Sequence, residues 1–294
     1  MSANPWGIVE CPLVSESFRS GVDGLCQALL EAGLASAIGA ATGWRLPRPH
    51  WPPRRDPENG RLNPEELRES LLRLADLVQE CMAHGHRPLV LGGDCSILLG
   101  CLAGARRAGE HGLFFMDGHA DYYLPGESPS GEVADMDLSL VTGRGPGVLT
   151  GLDGPAPLVE PGRVTVFGFR DGAVSARFGA ADLDGSGLAG FSLEDIRLLG
   201  FHNALCKGLE RHREQGLPLW LHIDLDVLDD AALPAVDYRM PGGLAPGEFV
   251  RAARLALDTG LVSGADVTIF NPSLDWDGSQ TRLVTALLTA ALAD

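Results

Sequence analysis

The chain has 294 residues, of which 45% are hydrophobic, and its formal net charge is −16. This length lies near the upper limit for one hydrophobic core, and the apolar content is sufficient to fill one. The negative charge argues against nucleic acid or a membrane surface as a partner, because the phosphates of both would be repelled. The number of domains is decided by the pattern of elements below, from which we expect a single domain over residues 1–294.

The cysteines and the N-terminus indicate a cellular compartment. The six cysteines form no CxxC pair and no repeated spacing, which is typical of reduced, buried thiols and not of a disulfide framework. The N-terminus has neither the basic segment nor the apolar run of a signal peptide, and no apolar run is long enough to span a bilayer. These features predict a soluble, cytoplasmic protein.

The predicted elements alternate between helices and short apolar strands. A stretch rich in Pro, Arg and Trp at 44–64 is interpreted as a surface excursion, and a helix with an Asn63 cap is predicted over 63–82. Strands are then predicted at 88–91, 113–116, 164–167, 219–223 and 266–270. Helices are predicted at 96–107, 192–214, 246–258 and 280–293. This alternation predicts a three-layer α/β/α fold with a mainly parallel central sheet.

Polar clusters follow three of the predicted strands, at the ends where parallel sheets gather functional groups. They read GGDCS at 92–96, DGHAD at 117–121 and DLD at 224–226. Residues two apart in an extended chain project to the same face. We therefore expect the acids and the histidine of the last two clusters to point into one cleft.

Four carboxylates and one imidazole in one cleft would repel one another and shift their pKa values unless cations neutralise them. Such a set suits divalent ions such as Mn²⁺, and it is large enough for two ions that share carboxylates. The alternative is that these acids are helix caps and turn residues, for which Asp is favoured.

The motifs resemble those of the arginase/agmatinase (ureohydrolase) family, whose signatures are GGDHS, DAHxD and SxDxDxxDP followed by a late GG. Here they stand as GGDCS at 92–96, DGHAD at 117–121 and HIDLDVLDD at 222–230, with glycines at 242 and 243. Segments at 21–34, 168–171 and 264–272 are similar to further parts of the family. The resemblance covers nearly the whole chain and implies an arginase-like α/β/α fold and a small-molecule substrate.

The resemblance also implies a centre of two divalent ions, most commonly Mn²⁺, with a hydroxide held between them. One ion would be held by Cys95, Asp117, Asp121 and Asp224, and the other by His119, Asp117, Asp224 and Asp226. In this arrangement Asp117 and Asp224 bridge the ions, and Asp121 is the catalytic residue that orients the hydroxide. Family members are commonly trimers or hexamers, which implies a homo-oligomer.

Position 95 departs from the family, because Cys95 stands where the family usually has His. The N-terminus of the predicted helix favours a thiolate there, and a thiolate shifts metal preference towards Zn²⁺ or Fe²⁺. Three outcomes remain open: Cys95 as a ligand of a two-ion centre, loss of one ion, or an inert buried thiol. For the nearby His222 we expect a packing or supporting role, with the ring facing away from the ions.

The substrate-binding half departs further. The Glu that binds the guanidinium in arginases aligns with Ile269, and the proton-shuttling His aligns with Ala134. Of the acids that hold the substrate's amino end, Asp171 remains, while the others align with Ala173 and Ala176. A charge-assisted hydrogen bond of about 1.5–3 kcal/mol is therefore missing, which disfavours arginine as the substrate.

Other acids are candidates to bind the substrate in place of the missing ones. Glu132, Asp135 and Asp137 lie in the loop after the second cluster, and a solvated acidic loop is the alternative interpretation. We predict a metal-dependent hydrolase of a linear C–N bond in a guanidine or amidine, such as N-hydroxyarginine. An amide hydrolase on the same fold, a metal-binding pseudoenzyme or regulatory protein, and a redox sensor acting through Cys95 are the alternatives.

Overall fold

The computed structural model describes residues 4–15, 21–49, 63–128 and 130–293. Most of the predicted surface excursion at 44–64 lies outside these ranges, and its first two residues belong to a strand. All six cysteines are free and five of them are buried, as predicted. No helix in the described ranges is both long enough and apolar enough to cross a bilayer.

Eight strands form one central sheet. They are β1 (Trp6–Cys11), β2 (Ala41–Arg45), β3 (Arg87–Gly92), β4 (Gly112–Met116), β5 (Val164–Phe167), β6 (Ala189–Phe191), β7 (Leu219–Asp224) and β8 (Val262–Thr268). Their order is β2-β1-β3-β8-β7-β4-β5-β6, and every neighbouring pair is parallel. Strands β1, β2 and β6 were not predicted. Strands β2 and β6 are short edge strands with little apolar sequence, and the apolar run of β1 is interrupted by Gly7 and Glu10.

Helices cover both faces of the sheet. They are α1 (Leu25–Glu31), α2 (Leu34–Ala37), α3 (Pro64–Ala83), α4 (Ile97–Arg106), α5 (Asp137–Val141), α6 (Gly147–Thr150), α7 (Gly172–Ser175), α8 (Leu193–Leu199), α9 (Phe201–Gln215), α10 (Pro246–Leu257) and α11 (Ser279–Leu292). Helices α3, α4 and α5 contribute to the apolar core on one face, and α1, α9, α10 and α11 contribute to the core on the other. The predicted three-layer α/β/α class is thus confirmed.

Three local predictions are wrong, each at a backbone that leaves regular geometry. The helix predicted over 192–214 is two helices, because Gly200 (φ 80°) separates α8 from α9. The strand predicted over 266–270 ends at Thr268, because Ile269 has a φ of 73°. Asn63 begins α3 in a left-handed conformation, and its side chain makes no capping hydrogen bond to the helix. An apolar pattern does not reveal such changes of backbone direction.

The strand order brings the polar clusters to one edge of the sheet. Strand β8 lies between β3 and β7, and β4 follows β7. Asp224 is in register with Thr268 of β8, and Ile223 is in register with Met116 of β4, so Asp117 follows beside Asp224. The residues after β3, β4, β7 and β8 therefore meet in one place.

Candidate metal centre and substrate cavity

Side chains of metal-ligand type form two groups at this edge. One atom each from Asp117, His119 and Asp226 lie within 4.8 Å of one another, and so do atoms of Cys95, Asp117 and His222. Asp117 belongs to both groups and is fully buried. Its carboxylate therefore lies where a bridging ligand between two cations would lie.

The first group is held in shape by backbone amides. His119 Nδ1 lies 2.9 Å from Asp226 Oδ2 and 3.7 Å from Asp117 Oδ1. The amide of His119 donates to Asp117 Oδ1 at 2.6 Å, and the amide of Gly118 donates to Asp226 Oδ1 at 3.0 Å. One oxygen of each carboxylate is thereby oriented by the loop that carries the histidine.

Gly118 stands where the family signature has Ala, and in this chain neighbouring atoms fill the space of a side chain there. A Cβ there would overlap Nη1 of Arg170 and would lie 2.7 Å from Asp226 Oδ1. Arg170 occupies this space because its Nη2 donates to the carbonyls of Asp226 and Met240 at 2.9 and 3.1 Å. The guanidinium thereby ties the turn after β5 to the segment after β7.

The Cys95 thiol lies against the second bridging candidate. Its Sγ donates to Asp224 Oδ2 at 2.7 Å and lies 3.4 Å from Thr268 Oγ1. Burial, together with the charges of Asp224 and Asp117, raises the pKa of the Cys95 thiol well above its usual value. Without a cation, the expected preference of Cys95 for the thiolate form is therefore wrong. A cation beside the sulfur is needed to lower the pKa of the thiol again.

His222 was expected to face away from the cluster, and the structure corrects this. The ring is fully buried and stacks on Phe115 with centroids 4.5 Å apart. Its Nδ1 lies 2.6 Å from Asp266 Oδ2, and its Nε2 points to Asp117 with 3.8 Å to Oδ2. The strand alternation that places 222 on the same face as 224 was the available signal.

Two further acids lie near Asp117. Asp121 is 7% exposed and has a φ of 43°, and burial followed by the charge of Asp117 raises its pKa. Asp137 begins α5 and is fully buried, with no hydrogen-bond partner for either carboxyl oxygen among the described residues. It does not line the substrate cavity, which corrects its inclusion among the candidate substrate-binding acids.

A cavity of about 340 Å³ opens above these groups. Its base includes His119, Asp121 and Asp224. Its wall carries the three acids predicted to bind the substrate and several apolar side chains: Glu132, Asp135, Asp171, Val174, Phe178, Met240 and Ile269. The cavity thus combines the acidic base with a wall that is partly acidic and partly apolar.

The acids of the wall differ in their surroundings. Glu132 accepts a hydrogen bond of 2.8 Å from the Tyr238 hydroxyl, and burial raises its pKa to about 7. Burial raises the pKa of Asp135 to about 6. Asp171 accepts from the amide of Ala120 at 3.1 Å. Sequence reasoning missed Tyr238, since no motif singled it out.

Ile269 contributes an apolar side chain to the lining of the same cavity. It is 5% exposed, and its amide donates to the carbonyl of Gly93 at 3.0 Å. A β-branched residue with a positive φ is an outlier that costs of order 1–3 kcal/mol. The surrounding strands hold it there, so the wall has no carboxylate at this position.

The donor set fits divalent cations. Asp117 Oδ2 and His222 Nε2 are buried and have no hydrogen-bond partner within the described ranges. Burial, followed by the charges of Asp226 and Asp117, raises the pKa of Asp224. Buried carboxylates of this kind are stabilised when a cation supplies the missing partner.

Comparison with known proteins gives a consistent result. The model of the arginase family matches residues 5–293. An arginase from Brevibacillus brevis is 30% identical over 231 residues, which cover 78% of this chain and 76% of that protein. The structure of Bacillus caldovelox arginase has a TM-score of 0.87 at 25% identity and covers 99% of both chains. Formimidoylglutamase from Bacillus subtilis shares the fold with a TM-score of 0.72 at 16% identity over 99% of this chain and 87% of its own. The resemblance predicted from the motifs is confirmed.

Proposed function

This chain belongs to the arginase family of metal-dependent hydrolases, which act on C–N bonds in linear amidines, and we propose that its substrate is a modified guanidine of reduced basicity, such as N-hydroxyarginine. The observation that carries this proposal is the position of Ile269 on the cavity wall. An unmodified guanidinium beside Ile269 would be desolvated with no carboxylate at that position to pair with it. The cost of burying such an unpaired charge is several kcal/mol.

A hydroxyl group on the guanidine removes this difficulty. It withdraws electron density from the guanidine and makes the neutral form accessible near neutral pH. A neutral head group can pack against Ile269 without an unpaired charge. The electrophilic carbon would then lie over the acidic base of the cavity.

The opposite end of the substrate is assigned to the acids of the wall. Glu132, Asp135 and Asp171 line the cavity and would bind an amino group of the substrate as a cation. Tyr238 orients the Glu132 carboxylate through its hydroxyl. This arrangement favours a substrate with an amine at one end and a less basic head group at the other.

We assign a pair of divalent cations, most commonly Mn²⁺ in this family, to the acidic base. The proposed ligands are Cys95, Asp117, His119, Asp121, Asp224 and Asp226. Such a pair acidifies a water molecule and polarises the substrate. Asp121 accepts a hydrogen bond from the attacking water and orients it, while Asp117 lies between the two groups of ligands.

We further propose that residues 1–294 form one domain of a cytoplasmic homo-oligomer. The family match over residues 5–293 supports a single domain. Six free thiols support a reducing compartment. The assignment to a homo-oligomer rests on the trimers and hexamers that are common in the family, and sedimentation tests it.

The substrate is tested with a panel of guanidines after reconstitution with Mn²⁺, Zn²⁺ or Fe²⁺. We expect release of hydroxyurea from N-hydroxy-L-arginine with a higher kcat/KM than release of urea from L-arginine. An Asp226→Ala variant is the control for contaminating activity. Equal or better turnover of arginine would contradict the proposal. Ammonia release from amides alone would favour the amide hydrolase, and no turnover with both ions bound would favour the pseudoenzyme.

A further inference from the structure

We propose that His222 is itself a metal ligand and supplies, from β7, the imidazole that Cys95 does not supply from the end of β3. This inference rests on the proposed function, in which two divalent ions occupy the acidic base of the cavity. It adds a residue to the proposed ligand set and changes the metal preference at one of the two positions.

The first support is the position of the ring. His222 precedes Asp224 by two residues on β7, so both project to the same face of the sheet. His222 Nε2 lies 3.8 Å from Asp117 Oδ2, which is too long for a hydrogen bond. Two ligands at about 2.1 Å from one tetrahedral ion are about 3.4 Å apart. The Cys95 thiol completes a triplet of ligand atoms within 4.8 Å.

The second support is the partner on the far side of the ring. His222 Nδ1 lies 2.6 Å from Asp266 Oδ2, and the other oxygen of Asp266 accepts from Trp220 Nε1 at 2.6 Å. The carboxylate therefore holds the proton on Nδ1 and leaves the lone pair of Nε2 free to bind a metal ion. Metal-binding histidines commonly have such a carboxylate on the nitrogen that does not bind the metal.

The third support is the absence of any other partner for the atoms concerned. Within the part of the chain that the structure describes, His222 Nε2, Asp117 Oδ2 and both carboxyl oxygens of Asp137 have no hydrogen bond. These three residues are 0% exposed. The carboxylates of Asp266 and Asp117 lie 2.6 and 3.8 Å from the two nitrogens of the His222 ring. A cation among these groups provides the positive charge that they otherwise lack.

The ligand set differs in kind from that of the other group. A thiolate, an imidazole and carboxylates suit Zn²⁺, Fe²⁺ or Co²⁺ better than Mn²⁺. The group formed by Asp117, His119 and Asp226 has no sulfur ligand. The two positions of the centre therefore differ in metal preference, and the thiol-containing position selects the softer ion.

The alternative is a buried imidazolium that forms ion pairs with Asp266 and Asp117 and binds no metal. Co²⁺ separates the two, because a thiolate bound to Co²⁺ gives a charge-transfer absorption in the near ultraviolet. We would load the full chain with Co²⁺ and measure the number of ions bound, the affinity and this absorption. The variant is His222→Asn, whose amide nitrogen retains a donor to Asp266 while the Nε2 position is lost.

The wild type is expected to bind two ions. In His222→Asn, one ion is expected to bind more than about 100-fold more weakly, and the charge-transfer band is expected to disappear. An Asp266→Asn variant is expected to weaken that ion by about 10–100-fold, as for other outer partners. His212→Asn is the matched control, because His212 is also buried but belongs to helix α9. It is expected to leave the binding of both ions unchanged.

Each outcome decides between the two proposals. Two ions and an unchanged band in His222→Asn would overturn the role of His222 and leave the proposed function intact. Fewer than one ion in the wild type would overturn both. If His222→Asn does not fold, the wild type loaded with ¹¹³Cd²⁺ answers the same question by NMR. Coupling of cadmium to nitrogens of two histidines is expected, and coupling to only one would overturn the inference.

Discussion

The thiol of Cys95 donates a hydrogen bond of 2.7 Å to the carboxylate of Asp224, although the strands that lead to them, β3 and β7, are separated by β8. The contact passes over the small side chain of Thr268, whose hydroxyl lies 3.4 Å from the sulfur. Position 95 is thus in contact with Asp224 and lies in one group of potential metal ligands with His222. The effect of a substitution at position 95 on metal binding is therefore expected to depend on the residue at position 222.

We expect the double variant Cys95→His, His222→Ser to prefer Mn²⁺ over Zn²⁺ more strongly than the wild type. The exchange restores the His and Ser of the family signatures and replaces the sulfur ligand by nitrogen. Cys95→His alone is expected to destabilise the protein, because it places a second imidazole beside that of His222 in a buried site. Competition between the two metals, measured by mass spectrometry of bound ions, checks this. An unchanged preference in the double variant would contradict it.

The Ile269→Glu variant is expected to raise kcat/KM for L-arginine by about 10- to 100-fold, which corresponds to one charge-assisted hydrogen bond. The new carboxylate would replace an apolar wall of the cavity and pair with a guanidinium. Ile269→Gln is the control of equal shape without charge. Steady-state kinetics on arginine and N-hydroxyarginine provide the measurement, and an equal gain in Ile269→Gln would show that charge is not the cause.

Gly118→Ala is expected to weaken metal binding by about 10–100-fold, because the added methyl group displaces Arg170 or Asp226. The loop that carries His119 is hydrogen-bonded to the same carboxylate. Gly126→Ala is the control, since no atom lies within 4 Å of a Cβ at that position. Calorimetric titration with Mn²⁺ measures the affinity. Equal affinities of the two variants would show that the close packing at 118 is unimportant.

The affinity for a cationic substrate is expected to rise as pH increases through about 7, because Glu132 ionises in this range. Tyr238→Phe removes the hydrogen bond that favours the carboxylate. The pKa of Glu132 then rises further, and the increase in affinity moves to higher pH. The pH dependence of 1/KM measures the shift. Glu132→Gln is expected to abolish the rise in affinity near pH 7. A rise that persists in this variant would show that another group ionises.

Protonation of His212 is expected to destabilise the folded state at acidic pH. Burial lowers the pKa of His212 to about 4, and the nearby charge of Arg211 adds to the effect. Thr165 Oγ1 donates to the carbonyl of Gly208 at 3.1 Å, so it accepts from His212 Nε2 at 3.0 Å, and the neutral ring therefore carries its proton on Nε2.

The sign follows from proton uptake in the two states. Above pH 6.5 the ring is neutral in both the folded and the unfolded chain. Between about pH 6.5 and 4 only the unfolded chain takes up the proton, so stability falls as pH falls, by about 2 kcal/mol at pH 5. Urea unfolding of the wild type and His212→Gln at pH 7.5 and 5 measures this. Between pH 7.5 and 5 the variant is expected to lose less unfolding free energy than the wild type by that amount. Equal losses in the two proteins would contradict the prediction.

The strands that run into the three motifs, the parallel sheet and the family could be predicted from the sequence, because each depends on local information. A buried strand is a continuous apolar run, and a motif such as 117–121 carries its ligands within five residues. The helix break at Gly200 and the strand end before Ile269 were mispredicted, because the apolar pattern continues through both positions.

The sequence by itself determined that carboxylates and an imidazole follow buried strands in a divergent arginase-family chain. Only the tertiary structure decided which side chains meet. His222 and Asp137 are 85 residues apart (222 − 137), and both lie beside Asp117 because strand register and the docking of α5 place them there. Ile269 lines the cavity because the packed sheet holds it at a φ of 73°. Register and backbone direction are set by contacts over the whole domain, whereas the chemistry of a motif is set by the residues within it.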